Sequence, residues 1–178
     1  MYKARLSRKE FITRMASIRL LALDVDGVLT DDSIYFGPDG FEMKRFNISD
    51  GLFMVLAMRA GLELAVVSGR KSPATDTRMK DLGVKHVLQG MRRKTTMIAP
   101  LLDELKLQPS DVAFLGNEIL DIELAEQSGI GIAVSNATGE LKKAADYITQ
   151  RPGGHGAVRE VIECYFHGIG KSPMSFLS

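Results

Sequence analysis

The feature that most constrains this fold is a repeated order of short apolar runs and helical patterns. The apolar runs lie at 20–23, 62–67, 86–88, 112–115 and 130–134. Stretches with helical periodicity lie between them at 51–59, 73–81, 94–106 and 119–127. Apolar runs of this length are typical of strands that are buried on both faces. Because strand and helix alternate through short loops, the sequence predicts an α/β domain with a mainly parallel sheet covered by helices.

Two segments interrupt this order. Residues 33–46 contain two short β-like runs around Gly37-Pro38-Asp39-Gly40, which predicts a hairpin with a four-residue turn. The hairpin follows the first strand directly, where it can act as a flap over the strand's carboxyl end. The other segment is a tail at 151–178, whose glycine-rich start precedes a last helix at 157–166. The capping-box spacing of Ser7 and Glu10 also predicts a short helix that ends near Ala16.

Composition limits the class of protein. A chain of 178 residues with 45% hydrophobic and 25% charged residues fits one domain, which we expect to span residues 1–178. The net charge of +1 gives no basic field that would attract nucleic acid or an anionic membrane. Cys164 is the only cysteine, which excludes an internal disulfide and suits a reducing compartment. With no long apolar run and a charged N-terminal segment, we expect a cytoplasmic protein without a membrane span or secretory signal.

The segment Asp-Val-Asp-Gly-Val-Leu-Thr follows the first apolar run and begins at Asp24. Side chains two residues apart on an extended chain point the same way, so Asp24 and Asp26 leave the sheet toward one point. Crowded carboxylates repel unless a cation or proton lies between them, and a hard oxygen-ligated ion such as Mg²⁺ meets that need. One carboxylate can then attack phosphorus while the other transfers protons. Taken alone, the pattern also fits two solvated loop aspartates.

The other predicted strand ends carry polar side chains as well. Ligands of open α/β sheets bind beyond the carboxyl ends of the strands, so the chemistry is expected at Asp24, Ser68, Gln89 and Asn117. Taken singly, a serine after a strand is also typical of a helix N-cap. A single lysine near a helix start, such as Lys94, is also typical of a solvent-exposed side chain.

In this context the motifs resemble the haloacid dehalogenase-like phosphatases. The segment 24–30 resembles their first signature, and Ser68-Gly69-Arg70 resembles the second, in which a hydroxyl and a backbone N–H at a helix start hold phosphate. Lys94 is similar to the third, a lysine that counters the charge of phosphate and nucleophile. The segment 115–121, Leu-Gly-Asn-Glu-Ile-Leu-Asp, stands in the place of the fourth. The resemblance implies a three-layer Rossmann-like fold.

The resemblance is closest to the 3-deoxy-D-manno-octulosonate 8-phosphate (KDO 8-phosphate) phosphatases. Thr30-Asp31, the hairpin and the segments 46–51, 68–72 and 153–160 follow that family's order, so the similarity extends from about residue 19 to residue 166. It implies a phosphatase without a separate cap domain that acts on an eight-carbon sugar acid made for lipopolysaccharide. It also implies a homotetramer in which hairpins meet and neighbouring subunits and the tail help to close the active site.

The resemblance also implies a role for each site residue. Asp24 is the nucleophile that forms an aspartyl-phosphate, and Asp26 protonates the leaving oxygen and then activates water. Mg²⁺ is held by Asp24, the backbone carbonyl of Asp26 and the Asn117 side chain, while Ser68 and Lys94 offset the phosphoryl charge. Asp121 and Glu118 are expected to support the lysine or the metal. The substrate side of the pocket is expected to contain Gly69, Arg70, Lys71 and Asp50.

Two departures from the family pattern leave alternatives open. Asn117 stands where the family usually has an aspartate that binds magnesium, so a neutral amide replaces a charge. The Gly-Asn-Glu sequence also resembles the phosphatase-like assembly domain of animal CMP-sialic acid synthetases. His155 stands where an arginine is common, which removes a bidentate partner for a carboxylate. The alternatives to KDO 8-phosphate hydrolysis are therefore a phosphatase of a nine-carbon sugar acid 9-phosphate (N-acylneuraminate or KDN type) and a catalytically weak assembly module.

Overall fold

The computed structural model describes residues 5–177; residues 1–4 and 178, which the domain prediction includes, lie outside the described residues. The described chain contains two sheets, one of six strands and one of two. The strands are β1 (Leu20–Leu23), β2 (Tyr35–Phe36), β3 (Glu42–Met43), β4 (Glu63–Ser68), β5 (His86–Gln89), β6 (Val112–Gly116), β7 (Ile130–Ala133) and β8 (Tyr147–Ile148).

The large sheet is parallel throughout and has the strand order β5-β4-β1-β6-β7-β8. β1 is central, since Leu20 pairs with Glu63 of β4 on one side and with Val112 of β6 on the other. The residues of β1 are completely buried, as expected for a strand covered on both faces. Because the three strands run in register, their carboxyl ends meet at one edge, where Asp24 follows β1.

Helices cover both faces of this sheet. The helices are α1 (Arg8–Met15), α2 (Ile48–Arg59), α3 (Pro73–Leu82), α4 (Lys94–Leu105), α5 (Ile122–Gln127), α6 (Gly139–Ala144) and α7 (Ala157–Gly168). α7 packs against α1 and α2, and α3 contacts α2, which makes one layer. α5 packs against α4 and α6 and makes the other. The predicted α/β fold with a mainly parallel sheet is confirmed.

The elements differ from the sequence prediction mainly at their ends. α1 has the predicted capping box, in which Ser7 and Glu10 bond each other's backbone N–H. α2 begins at Ile48, three residues earlier than predicted, because the Asn47 side chain caps it by accepting from Ser49 and Asp50 N–H groups. The predicted helix at 119–127 is divided into a 3-10 turn, Ile119–Asp121, and α5. β8 and α6 were not predicted from the sequence, because they are too short to show a periodic pattern.

The predicted hairpin forms the two-stranded sheet, in which Tyr35 pairs with Met43 and Phe36 with Glu42. Its turn is longer than predicted: the chain from Gly37 to Phe41 connects the strands and includes a 3-10 turn, Pro38–Gly40. An antiparallel bridge between Thr30 and Phe46 closes the base of the hairpin. We call the hairpin, residues 33–46, the flap.

The glycine-rich start of the tail packs directly on the loop after β1. A Cβ atom on Gly153 would lie 1.7 Å from the backbone oxygen of Gly27, so only glycine fits this approach. The next residue, Gly154, donates its N–H to the Val28 carbonyl at 2.8 Å. The tail therefore supports the loop that contains Asp24 and Asp26. In the described part of the chain, 5–177, no helix has the length and apolar character needed to cross a membrane.

Candidate active site

A cavity of about 310 Å³ opens at the carboxyl edge of β1, β4 and β6. It lies where a parallel α/β sheet normally binds its ligand. Its walls come from the loops after these strands, from the loop between β5 and α4, and from the start of α4. The lining residues are Asp24, Asp26, Asp32, Ser68, Gly69, Arg70, Arg92, Lys94, Asn117, Glu118, Leu120 and Asp121.

Asp24 is a buried carboxylate beside a buried cation. Its Oδ1 accepts the Val25 N–H at 2.7 Å and lies 2.8 Å from Nζ of Lys94. Burial raises the pKa of Asp24 to about 7, against the opposing effect of the Lys94 charge, and the nearby Asp121 carboxylate adds to the rise. An additional cation in the cavity would therefore stabilise the ionised, nucleophilic form of Asp24.

Lys94 bridges two carboxylates at the start of α4. Its Nζ donates to Asp121 Oδ1 as well as pairing with Asp24. Burial opposes the charge of this lysine, yet Asp24 and Asp121 together raise the pKa of Lys94 above its ordinary value. The other oxygen of Asp121 accepts the N–H groups of Asn117 and Glu118, at 2.8 and 3.0 Å. Asp121 thus fixes both the lysine and the loop after β6.

Asp26 is held by cations from two segments. Lys44 of the flap places Nζ 2.6 Å from Asp26 Oδ1, and its side chain is fully buried. Arg70 approaches Asp26 Oδ2 at 3.7 Å and donates to Glu42 at 2.9 Å. Glu42 also accepts the Ser72 hydroxyl at 2.6 Å. These contacts attach the flap to the loops on either side of the cavity.

Lys44 and Glu42 were not predicted from the sequence as residues near the site. Their spacing was a usable signal, because residues two apart on a strand share a face and Met43 lies on the other. That alternation alone places the two charged side chains on one face of the extended chain at β3 but does not say what the face covers. The contact with Asp26 depends on how the flap folds back over the sheet edge.

The loop after β4 presents small polar groups to the cavity. Ser68 is buried, and its Oγ accepts the N–H of Arg70 at 3.3 Å. Gly69 has no side chain, so the backbone between Ser68 and Arg70 stays open to the cavity. A hydroxyl and backbone N–H groups in this position are suited to a phosphate oxygen.

Asn117 has a buried oxygen without a partner. Its Oδ1 forms no hydrogen bond, although a buried polar atom normally has one. Its Nδ2 lies against Gly27, where a Cβ atom would come within 2.0 Å, and Gly27 has a φ of 79°. An unsatisfied amide oxygen near two aspartates is a suitable donor set for Mg²⁺, so the predicted metal ligands fit a hard cation here.

The candidate metal ligands include few charged groups. Within residues 5–177, no three His, Cys, Asp or Glu side chains form a metal-binding cluster. A cation in this cavity would depend on Asp24, a backbone carbonyl and the Asn117 amide. Glu118 lines the cavity, but its Oε1 accepts the Ile119 N–H at 2.7 Å, which holds it at the 3-10 turn.

Two residues predicted to contact substrate lie outside the lining of this cavity. Both oxygens of Asp50 accept backbone N–H groups at the start of α7, from Gly156 at 3.3 Å and Arg159 at 2.8 Å, so Asp50 is a buried structural cap outside the cavity. Lys71 is exposed and does not line the cavity.

Two further predicted positions also lie outside the cavity lining. Gln89 bonds the Ser72 N–H and the Asp76 carboxylate instead of facing the site. His155 is exposed and is absent from the lining, so its departure from the family pattern does not change the cavity wall of this chain.

Comparisons with known proteins agree with this arrangement. The haloacid dehalogenase-like hydrolase family matches residues 86–162. The chain is 40% identical to the 3-deoxy-D-manno-octulosonate 8-phosphate phosphatase of Escherichia coli K12, across 91% of this chain and 86% of that protein.

Solved structures of phosphatases with the same name are also similar to this chain. The phosphatase of the same name from Moraxella catarrhalis, crystallised with magnesium, phosphate and KDO, superposes with a TM-score of 0.88 at 36% identity, covering 91% of this chain and 93% of that one. The cobalt-bound deoxy-D-mannose-octulosonate 8-phosphate phosphatase from Haemophilus influenzae has a TM-score of 0.87 at 31% identity, covering 93% and 99%. The resemblance identified from the motifs is thus confirmed: the chain belongs to the 3-deoxy-D-manno-octulosonate 8-phosphate phosphatase family of haloacid dehalogenase-like hydrolases.

Proposed function

We propose that this chain is a Mg²⁺-dependent phosphatase that hydrolyses KDO 8-phosphate to KDO and phosphate through an aspartyl-phosphate. The observation that carries the proposal is the buried Asp24 carboxylate at the end of β1, paired with Lys94 in a cavity that also contains Asp26 and Ser68. A catalytically weak assembly module would have no need for this arrangement. The relatives with this activity cover nearly the whole chain.

In the first half of the reaction, a carboxylate oxygen of Asp24 attacks phosphorus in line with the sugar oxygen. The phosphorus–oxygen bond to the sugar breaks, and a proton from Asp26 goes to the departing oxygen. Lys94 and the Ser68–Arg70 loop offset the negative charge on the transferring group by ionic contact and hydrogen bonds. The products of this step are free KDO and an aspartyl-phosphate at Asp24.

In the second half, Asp26 accepts a proton from water, and the resulting oxygen attacks phosphorus and releases Asp24 as a carboxylate. Phosphate leaves, and Asp26 has recovered the proton that it donated. Bound Mg²⁺, held by Asp24, the Asp26 carbonyl and Asn117, would supply further charge neutralisation. The Lys44 contact holds the Asp26 side chain at the cavity wall, where its protonated form can donate to the sugar oxygen and its ionised form can accept from water.

The test is phosphate release from KDO 8-phosphate with Mg²⁺ or with chelator. We expect Asp24→Asn to lower kcat by on the order of 10³-fold or more, since it removes the covalent route. Asp76→Asn, at a carboxylate outside the cavity, is the matched control and should keep wild-type activity. The same assay with a nine-carbon sugar acid 9-phosphate tests the alternative substrate. Retention of a tenth of the activity by a folded Asp24→Asn protein would exclude the mechanism.

We also propose that the protein is a homotetramer, as the resemblance implies. Its support is the set of exposed large apolar side chains on the flap and on the first turns of α2: Ile34, Tyr35, Phe36, Phe41, Met43, Ile48 and Leu52. A monomer would expose these to water, whereas contact between flaps would bury them. Light scattering of the purified protein should give four times the mass of one chain, and an active monomer would contradict it.

The cytoplasmic location also stays a prediction, which cell fractionation would test.

A further inference from the structure

Three cationic side chains line the cavity, and two of them have carboxylate partners. Lys94 is paired with Asp24 and Asp121, and Arg70 is paired with Glu42 and Asp26. Arg92 lines the same cavity but makes no hydrogen bond or ion pair with any residue in the described range 5–177. Its guanidinium is the cationic group of this cavity whose charge the protein leaves uncompensated.

Arg92 is anchored beside the phosphate-holding loop. The Cα of Arg92 and the carbonyl oxygen of Met91 would both lie 3.9 Å from a Cβ atom on Gly69, so the two loops are in contact. The loop containing Arg92 turns at Gly90, which has a φ of 90°, and ends where α4 begins at Lys94. The backbone at Arg92 is therefore fixed relative to the site, although its side chain is exposed.

The charge of the proposed substrate makes a second cation useful. KDO 8-phosphate has a phosphate at one end and a carboxylate at the other. In the proposed mechanism Lys94 and Ser68 contact the phosphate, where bound Mg²⁺ would add further positive charge. Arg70 is already paired with two carboxylates. A planar guanidinium without a partner is suited to bidentate contact with a carboxylate.

We propose that Arg92 binds the carboxylate of the sugar-acid substrate and so selects sugar-acid phosphates over neutral phosphomonoesters. This assignment rests on the proposed function, because it takes the substrate to be a sugar acid. It gives the cavity one cation for each end of the substrate: Lys94 at the phosphate and Arg92 at the carboxylate.

The adjacent Arg93 provides a matched control. Its NH2 pairs with Glu123 Oε1 at 2.9 Å, and it does not line the cavity. Arg93→Gln therefore removes the same charge from the same loop without touching the proposed contact. Arg92→Lys retains the charge but loses the bidentate geometry.

The experiment compares kcat/KM for KDO 8-phosphate with kcat/KM for p-nitrophenyl phosphate, which has no carboxylate. We expect Arg92→Gln to lower the ratio of these two values about tenfold, the effect of losing one charge-assisted hydrogen bond at an exposed site. The loss should appear mainly as a higher KM for KDO 8-phosphate, with an intermediate effect for Arg92→Lys. Arg93→Gln should leave the ratio at the wild-type value.

Each other outcome has a definite meaning. An unchanged ratio in Arg92→Gln overturns the inference, whether both activities are retained or both fall together; in the latter case Arg92 would serve the phosphate. An equal fall of the ratio in Arg93→Gln would also overturn it, since a general charge effect would then explain the result. If the wild-type protein hydrolyses p-nitrophenyl phosphate but not KDO 8-phosphate, the proposed function fails instead, and with it the identity of the carboxylate ligand.

Discussion

Replacing Lys44 by methionine tests whether the flap fixes the carboxylate of Asp26. The Lys44 side chain is fully buried, and its Nζ lies 2.6 Å from Asp26 and 3.8 Å from Glu42. Methionine keeps most of the buried hydrocarbon volume, so the change removes mainly the charge. Breaking a buried ion pair costs about 3–5 kcal/mol, and a hydrogen bond to a charged group contributes about 1.5–3 kcal/mol.

The expected loss of stability is smaller than the cost of breaking a fully buried ion pair. Asp26 is 21% exposed and keeps Arg70 at 3.7 Å, so water and the guanidinium compensate part of the missing charge. We expect Lys44→Met to reduce the free energy of unfolding by about 2 kcal/mol, within the range for a hydrogen bond to a charged group and below that for a fully buried ion pair. For a chain of this size that corresponds to a fall in Tm of roughly 4–8 °C.

A double-mutant cycle separates the pair from other effects. Urea unfolding in chelator is measured for the wild type, Lys44→Met, Asp26→Asn and the double variant, with the exposed Lys71→Met as control. Contact between the two side chains predicts a coupling energy of about 1.5 kcal/mol, within the usual range for groups in direct contact. The control should unfold like the wild type. A coupling energy below about 0.5 kcal/mol, the level expected for independent sites, would refute the reasoning.

Three further predictions follow from the cavity and its supporting loop. Asn117→Asp should lower the Mg²⁺ concentration for half-maximal phosphate release and slightly destabilise the metal-free protein, because it adds a carboxylate; an unchanged requirement in the titration would exclude Asn117 as a ligand. In chelator, the pKa of about 7 for Asp24 lies above its ordinary value of 3.8, so the native state binds more protons than the unfolded state between these values. Stability should therefore fall as pH rises from about 4 to about 7, and melts of Asp24→Asn should show less of this decline. Gly153→Ala places a methyl group against the Gly27 carbonyl and should lower stability by about 1–3 kcal/mol or more, measured by urea unfolding, whereas the open Gly139→Ala should not.

Local patterns were sufficient to predict the sheet and the edge of it at which the cavity opens. The apolar runs gave five of the six strands of the large sheet, because a strand buried on both faces needs an uninterrupted apolar segment. Parallel strands align their carboxyl ends, so the side chains that follow β1, β4 and β6 had to converge. Asp24, Ser68 and Asn117 line one cavity for this reason.

Contacts between distant segments were decided by the tertiary structure alone. Asp50 lies 106 residues from the Gly156 N–H that it accepts, and no periodicity in the sequence indicates that α7 starts beside it. Lys44 reaches Asp26 because the flap folds back across 18 residues of chain. Arg92 and Arg93 are equivalent in the sequence, yet one faces the cavity and the other pairs with Glu123. The sequence determined which side chains stand at the strand ends, since local burial sets that pattern. Long-range packing determined which of the described charges are paired with one another.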